Sequence, residues 1–381
     1  MTETEASIAL NMVPNLGPVR MRKLLEVFQT PERILLARRA ELRAVEGIGE
    51  ELASAISNWE QEIDLNQELA LIEQFGAHVI TRASPVYPRD LLEIYNPPIL
   101  LYVWGTLMER DQRAVGVVGS RKTSHYGLEC AKKLSFQLAY AGLTVVSGLA
   151  RGIDTAAHQS ALAAQGRTVA ILGSGLMALY PTENQALAEK IAASGAVVSE
   201  YPMTFPPSPQ TFPYRNRIVA GWGSGLLVVE AGLNSGALIT ANQAIENGRL
   251  VYAVPGQIDK PTAAGSNRLI QQGAKLVTGA ADILEDLQTF FPRLEKSPAR
   301  FPGSPGSPSS AGQSVSETGP PLSKTESVVI ELLEEGEIDL DGIVSKTRLP
   351  TSRVSSTLLA LEMKRLVKKL PGQRFVKLSL L

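Results

Sequence analysis

The sequence predicts an α/β protein: a Rossmann-like, largely parallel sheet domain flanked by an N-terminal helical (helix-hairpin-helix/SAM-like) domain and a C-terminal winged helix. Three observations predict it. Between Ala114 and Gly256 the apolar runs AVGVVGSR, LTVVSGLARG, RTVAILGSG, GLLVVEAG and RLVYAVPG each end in glycine and small polar residues. Helical patterns of about 10–15 residues alternate with these runs, as repeated βα units require. Amphipathic helical stretches lie on either side, the first carrying two glycine-marked hairpins and the last ending in two short strand-like runs.

Composition bounds the answer. With 381 residues, 44% hydrophobic and 20% charged, the chain is long enough for two or three cores. A net charge of -1 neither demands nor excludes a nucleic-acid partner, because a local basic crevice can sit in an acidic remainder. The single cysteine, Cys130, falls in an apolar helical pattern and reads as a buried thiol in a reducing compartment. MTETEASIALNMVPNL lacks the basic-then-apolar plan of a secretory signal, and no apolar run of about 18 residues exists, so a soluble cytoplasmic protein is expected.

Residues 1–72 read as short helices. PNLGPVRMRKLL, with Gly17, and AVEGIGEELASAI, with Gly47 and Gly49, fit tandem helix-hairpin-helix units. Such turns leave backbone N–H groups able to meet a phosphate, and they also serve as plain packing modules; both readings stay open. The main domain spans 73–290, entered through Pro-rich turns around short strands at His78 to Thr81 and Leu100 to Trp104. Residues 291–321, rich in Pro, Ser and Gly, bury too little surface to offset ordering entropy and read as a disordered linker. Residues 322–381 give three helix patterns and a two-stranded wing, with Val354, Leu358 and Leu361 as an apolar stripe on the third helix. Arg353 and Lys364 there, with Lys368, Lys369 and Arg374 in the wing, fit either duplex contact or a solvated, protein-binding face.

In an open parallel sheet the strand-to-helix turns line one crevice, where a ligand sits. Standard chemistry does not fit this one. A dinucleotide fingerprint needs three glycines and an acidic residue about 20 positions on. GSRKTSHYG offers Gly119, Ser120 and Arg121 instead, the next strand ends at Ser147, and GSGLMA from Gly173 lacks its third glycine. No P-loop is present. His78, His125 and His158 share no helix face, one cysteine is too few for a zinc site, and no serine lies in a G-x-S-x-G turn. Asp154 or Glu230 could act as a base, but Asp154 opens DTAAHQSAL and reads first as an N-cap. No cofactor, no metal and no catalytic set is expected. What remains suits a polyanion: Arg121, Arg151, Arg215 and Arg217 offer planar donor forks, and glycines at 119, 148, 152, 173 and 175 let backbone amides approach. Tyr180, Phe205, Phe212 and Tyr214 could stack on unpaired bases, which favours single strands.

The ordered motifs VYPRDLLEIYNPPILLYVWG, VVGSRKTSHYG, VSGLARGIDTAAH, ILGSGLMALYPTEN, FPYRNRIVAG, VVEAGLNSGALITANQA, GRLVYAVPG and GSNRLIQQGAKLVTG resemble the DNA-processing protein A (DprA/Smf) family. The resemblance implies a non-enzymatic protein that binds single-stranded DNA in the crevice, self-associates as a dimer, and loads RecA recombinase onto the strand in natural transformation. Carried onto this chain, the single-strand site comprises Ser120, Arg121, Gly148, Arg151, Gly152, Gly173, Ser174, Gly175, Tyr180, Asn184, Arg215, Asn216 and Arg217. Where the family often has lysine after Tyr-Pro, this chain has Thr182. The family's dimer or RecA contact surface, near the last strand of the domain, would involve Ile270 and Leu276, which are also plausible core positions. Two rival classes remain. A phosphoribohydrolase of the lysine-decarboxylase-like group would show a PGG-type turn followed by glutamates, where this chain has PGQ at Pro255 and then IDKPTAAG. A transcription regulator would be led by the winged helix.

Overall fold

A computed structural model describes residues 1–290, 324–333, 336–347, 349–363, 366–370 and 374–377. The expected 291–321 linker, Lys364 and the Lys369 side chain lie outside the described residues. The chain divides into two compact units, Met1–Ser297 and Pro298–Leu381.

The first unit opens with helices α1 (Glu3–Met12), α2 (Pro18–Phe28), α3 (Pro31–Leu36), α4 (Arg39–Arg43), α5 (Glu50–Ser57), α6 (Trp59–Glu62) and α7 (Leu65–Phe75). Local chemistry sets their starts. Thr2 and Glu5 form a reciprocal capping box on α1, Pro18 follows the Gly17 cap of α2, and the Thr30 hydroxyl caps α3 ahead of Pro31. Ile8, Leu10, Leu24, Ile34, Leu42 and Ile56 bury completely or nearly so, and they join Leu100, Tyr102, Leu149, Ala170 and Val197 of the sheet in one apolar cluster. The helices are thus a layer on the sheet, with no break in packing at residue 72. Polar ties reinforce it: Asn11 Nδ2 donates to Glu200 O (2.9 Å), and Met203 N donates to Glu68 Oε1 (2.8 Å).

The sheet strands are β1 (His78–Thr81), β2 (Leu100–Gly105), β3 (Ala114–Val118), β4 (Thr144–Ser147), β5 (Thr168–Ile171), β6 (Ala196–Ser199), β7 (Gly225–Val228), β8 (Leu250–Ala253) and β9 (Lys275–Leu276), in the order β1-β2-β6-β5-β4-β3-β7-β8-β9. From β6 to β9 every pair is parallel, while β1 and β2 join antiparallel at one edge. All five residues of β3 are buried, as are all four of β4, β5, β6 and β7, which is why these strands read as continuous apolar runs rather than alternating ones. The crossovers are α9 (His125–Tyr140), α10 (Ile153–Ala163), α11 (Gln185–Ser194), α12 (Thr211–Gly221), α13 (Gly236–Glu246) and α14 (Ala264–Gln271), with the short α8 (Arg89–Leu92) between β1 and β2 and α15 (Ala280–Phe290) following the last strand. A second cluster, built around Tyr87, Leu91, Leu101, Val228 and Trp222, fills the space between sheet and helices. The chain winds outward from β3 through β4, β5 and β6, then returns to place β7 on the other side of β3. That reversal is the topological switch point.

At the opposite end of the strands a buried ion pair fastens three segments. Arg167 donates to Asp111 through Nε (2.7 Å to Oδ1) and Nη2 (2.6 Å to Oδ2), and also to Ser194 O (2.8 Å) and Thr106 O (2.7 Å). Thr144 Oγ1 donates to Asp111 Oδ1 (2.8 Å), and Trp222 Nε1 to its carbonyl (3.1 Å).

The second unit contains α16 (Lys324–Leu332), β10 (Ile338–Asp339), α17 (Leu340–Thr347), α18 (Thr351–Met363), β11 (Val367–Leu370) and β12 (Arg374–Lys377). Its sheet order is β10-β12-β11, the wing of a winged helix. The expected stripe of Val354, Leu358 and Leu361 is its core, packed with Val329, Ile343, Val367 and Phe375.

Removing Asp111 leaves the Arg167 guanidinium buried without its counter-charge. Asp111→Ala is therefore expected to cost about 3–5 kcal/mol of stability, read from the urea midpoint at constant m.

Candidate nucleic-acid interface

At the carboxyl ends of β3 and β7 the switch point opens into a cavity of about 1180 Å³. A small recess continues from it, bounded by Arg121, Gly148, Ala150, Arg151, Tyr180, Pro181, Phe212 and Arg215. Most of the expected crevice residues meet here, and the reason is local.

Arg215 forms the floor. It sits on α12, is 4% exposed, and donates from Nη1 to Gly148 O (2.8 Å) and to Ile171 O, while its Nε reaches Asn216 Oδ1 (3.2 Å). Burial lowers its pKa to about 10, Asp154 works against that fall and Arg121 adds to it, so the guanidinium stays charged at neutral pH. Asp154 is the buried counter-charge. It is not the N-cap of α10, a position that Gly152 takes; its Oδ2 instead accepts from Gly148 N (3.1 Å) and Ala150 N (3.3 Å), folding the β4 turn back on itself. Burial raises the Asp154 pKa, against the pull of Arg215 and of the two backbone N–H groups. Gly148 lies between the two charges: a Cβ there would sit 2.8 Å from Asp154 Oδ2 and collide with the Arg215 guanidinium. Gly152, at φ +79°, lets the same turn pass against the Ser120 and Arg121 carbonyls.

Above this floor Arg121, Arg151 and Tyr180 are exposed and Phe212 is half-buried. Arg121 lies over the Phe212 ring (5.4 Å to the centroid), Arg151 over Tyr180 (5.8 Å), and the two rings are 5.7 Å apart. Arg151 also pairs with Glu183, each side chain about half exposed, so the pair is weakly held and open to exchange. Thr182 begins the short turn that carries Glu183. Ser120 and Asn216 line the cavity, Ser120 braced by its own hydrogen bonds to the Lys122 backbone (2.9 and 3.1 Å).

Other expected site residues lie elsewhere. Arg217 is two positions from Arg215 on one helix, about 200° round the axis, and it points away into a buried pair with Glu200 (2.5 and 2.7 Å) beneath Tyr214. The sequence counts both as crevice cations, and only the helical phase of α12 shows them opposed. Gly173, Ser174 and Gly175 are buried behind Phe212, with Gly175 N bonded to Phe205 O (2.8 Å). Asn184 is buried and ties Leu149 O (2.8 Å) to Thr155 Oγ1 (2.9 Å). These residues shape the crevice without lining it. Ile270 is half-buried against the main cluster, while Leu276 on edge strand β9 is 45% exposed.

The cavity also takes in residues the sequence reading did not assign: Lys122 beside Arg121, prolines 207, 209 and 213, and the segment from Gly232 through Thr240 that opens α13. The signal for the last was present in the glycine-bearing turn after β7, AGLNSGAL. At the neighbouring helix start, α9, the anion position is filled from within. Glu230 accepts from Thr123 Oγ1 and Ser124 N (2.7 Å), and a Cβ at Gly127 would collide with its carboxylate. Burial alone would raise the Glu230 pKa, but these hydrogen bonds and one from Thr262 outweigh it and hold the pKa below the ordinary value. Among the described residues no group of three or more His, Cys, Asp or Glu is placed to hold a metal, and no helix is long and apolar enough to cross a membrane. In the tandem hairpins, Glu50 at the start of α5 pairs with Arg39 and Arg43 (2.9 Å to the latter), which favours the packing role over phosphate contact.

Fold and crevice together define a Rossmann-like α/β protein whose switch point is cationic and open rather than shaped around a dinucleotide. The family model of the DNA recombination-mediator protein A matches residues 78–288, that of the DprA winged helix domain matches 314–373, and a SAM-like helix-hairpin-helix tandem matches 7–57. The chain is 36% identical to the Smf protein of Synechocystis sp. over 97% of both chains. The X-ray structure of DNA processing protein A from Streptococcus pneumoniae superposes with a TM-score of 0.67 at 36% identity, covering 75% of this chain and 99% of that one. A structure describing the single-stranded DNA binding mode of DNA processing protein A from Helicobacter pylori gives 0.51 at 26%, covering 56% and 96%. The chain belongs to the DprA/Smf family of DNA-processing proteins.

Buried beside the floor, His158 supplies a pH-dependent measure of its integrity. Thr168 Oγ1 donates to Val145 O (2.7 Å), so it accepts from His158 Nδ1–H (2.6 Å), leaving Nε2 unprotonated and without a partner. Burial, with Arg215 adding to it, lowers the His158 pKa to about 3. Above about pH 6.5 the ring is neutral in both folded and unfolded chains. Below that value only the unfolded chain takes up the proton, so stability falls with decreasing pH down to about pH 3, by up to about 1.4 kcal/mol per pH unit. Urea midpoints across pH 4–8 are expected to show this slope in the wild type and to lose it in His158→Gln.

Proposed function

We propose that this protein binds single-stranded DNA in the switch-point crevice and hands it to RecA recombinase in natural transformation and recombination, without enzymatic chemistry. The observation that carries the reading is the pairing of two exposed arginines with two aromatic rings above a buried guanidinium. Arg121 with Phe212 and Arg151 with Tyr180 present cation and ring faces together at the mouth, while Arg215 supplies a fixed charge below. Phosphates meet arginine forks and unpaired bases meet rings, a combination that suits a strand without a complement. The H. pylori relative, whose structure is described by its single-strand binding mode, supports the same reading.

The protein works as a homodimer in a cytoplasmic setting in this proposal, with exposed Leu276 on the β9 edge and its neighbour Ile270 at the contact with a second copy or with RecA. The alternative, a nucleotide-processing phosphoribohydrolase, is opposed by Glu230. Its carboxylate occupies the α9 N-terminus where an incoming phosphate would be drawn. Sustained release of free base from nucleoside monophosphates, followed by chromatography, would establish that alternative and remove the present one.

Anisotropy titrations with a labelled single strand at several salt concentrations test the crevice. Arg121→Ala is expected to lower affinity about tenfold and to flatten the salt dependence by about 0.7 in log–log slope, one phosphate contact's share. Glu183→Gln is expected to act the other way, raising affinity severalfold, because it frees Arg151 from an exposed carboxylate. Unchanged binding in both variants would move the site out of the crevice.

A further inference from the structure

Arg151 stands exposed at the mouth of the crevice, yet the backbone that carries it is held from inside. Two residues earlier Leu149, its side chain fully buried in the apolar cluster shared with the N-terminal helices, has φ +56°, in the left-handed region that residues with a Cβ rarely adopt. Such a conformation persists where its surroundings over-determine it. The Leu149 carbonyl accepts from Asn184 Nδ2 (2.8 Å), and the same amide nitrogen donates to Thr155 Oγ1 (2.9 Å). Thr155 in turn donates to the Ala150 carbonyl through Oγ1 (2.7 Å) and N (3.1 Å). One side chain from the turn after β5 thereby secures both carbonyls that precede Arg151, the first directly and the second through Thr155. Asn184 is 7% exposed and suits the place, because an amide donates twice without bringing a charge into a buried position. Its neighbour Glu183 pairs with the guanidinium of Arg151, so the one turn meets that arginine at the backbone and at the head group.

We propose that Asn184 is a positioning residue for Arg151: it keeps Leu149 left-handed, and so fixes where the arginine stands when a single strand enters, without touching the strand. The inference rests on the single-strand reading above. Without the amide, Leu149 relaxes toward the right-handed or extended regions that every non-glycine residue favours, and Arg151, two residues on, is re-aimed. The floor is spared. The N–H groups of Gly148 and Ala150 stay with Asp154, and the Gly148 carbonyl stays with Arg215. The loss is confined to one phosphate-binding cation rather than spread over the crevice.

A double-mutant cycle in the full chain tests this, with labelled oligo-dT titrated by anisotropy at several salt concentrations. Arg151→Ala is expected to weaken binding about tenfold and to lower the log–log salt slope by about 0.7, one phosphate contact's share. Asn184→Ala is expected to reproduce most of both changes in the wild-type background and to add nothing in the Arg151→Ala background. Thr155→Val keeps the side chain's shape and removes its hydroxyl; it is expected to act in the same direction, and it carries the cycle should Asn184→Ala fail to fold. Thr144→Val, at the opposite end of the strands, controls for destabilisation alone: it is expected to lower the urea midpoint and leave affinity and slope unchanged. Equal losses from Asn184→Ala in the two backgrounds, a loss at unchanged slope, or unchanged binding in Asn184→Ala or in Arg151→Ala would overturn the positioning role. The crevice reading stands in those cases as long as Arg121→Ala still weakens binding. Failure of the wild type to bind oligo-dT, or unchanged binding in both arginine variants, would overturn the two together.

Discussion

The crevice depends on one buried cation. Arg215 carries its charge beneath the strand ends, where the low dielectric makes an unsupported guanidinium costly, and everything around it reads as its support. The carbonyls of Gly148 and Ile171 accept hydrogen bonds from it, so the ends of β4 and β5 are set by where those carbonyls must point. Asp154 balances the charge and, by accepting the backbone N–H groups of Gly148 and Ala150, turns the loop that carries Arg151 up to the mouth. Gly148 has no side chain because the space is already taken by these two charges. A single electrostatic clasp thereby couples α12, two strand ends and the start of α10.

The arginines above the floor are different in kind. Arg121 and Arg151 are exposed, lie over aromatic rings, and make at most a weak surface ion pair with Glu183. They hold little of the fold and can exchange partners at little cost, as side chains that meet a passing polyanion must. Arg217 shows the contrast. It has the same chemistry and stands two residues from Arg215, yet it is buried in the interior with both terminal nitrogens on Glu200, turned away from the crevice. An overall charge of -1 is no obstacle to this division, because the field that matters is set by which cations remain unneutralised at the mouth.

Much of this was legible in the residues. Continuous apolar runs ending in glycine gave the parallel sheet and its crevice, since strands buried on both faces cannot alternate, and the spacing of Val354, Leu358 and Leu361 gave the core of the winged helix. The helix-hairpin-helix motifs were visible too. Their merger with the sheet into one core was not, because the apolar stripe that covers a helix pair looks the same whether its partner is the next helix or Leu100 and Tyr102. Direction was the other limit. Composition counts Arg215 and Arg217 as two crevice cations, and only the helical phase of α12 separates them. Asp154 looked like a helix cap because it follows a glycine turn at a helix start, whereas its carboxylate reaches backward to the turn. The segment from Gly232 through Thr240 carried no charged residue to draw attention, although its glycine-bearing turn stood next to the switch point.

Glu230 sets this crevice apart from the phosphate sites of nucleotide-binding folds. In the dinucleotide folds the helix after the first strand turns its free N–H groups toward a pyrophosphate. Here the corresponding helix, α9, receives a carboxylate from the turn after β7, and its Ser124 N–H and Thr123 hydroxyl are already engaged. That turn also accepts Ser120 N at Glu230 O (2.7 Å), so the two lips of the switch point are joined directly below the opening. The consequence is twofold. The anion site at the start of α9 is removed from competition by an internal charge, and the base of the cleft is closed by the same residue. A ligand must then be bound by what stands above the junction, the exposed arginines and rings on one side and the segment that opens α13 on the other. Contacts of that kind favour a chain that can be threaded across the opening over a compact phosphate compound that has to be seated at its base.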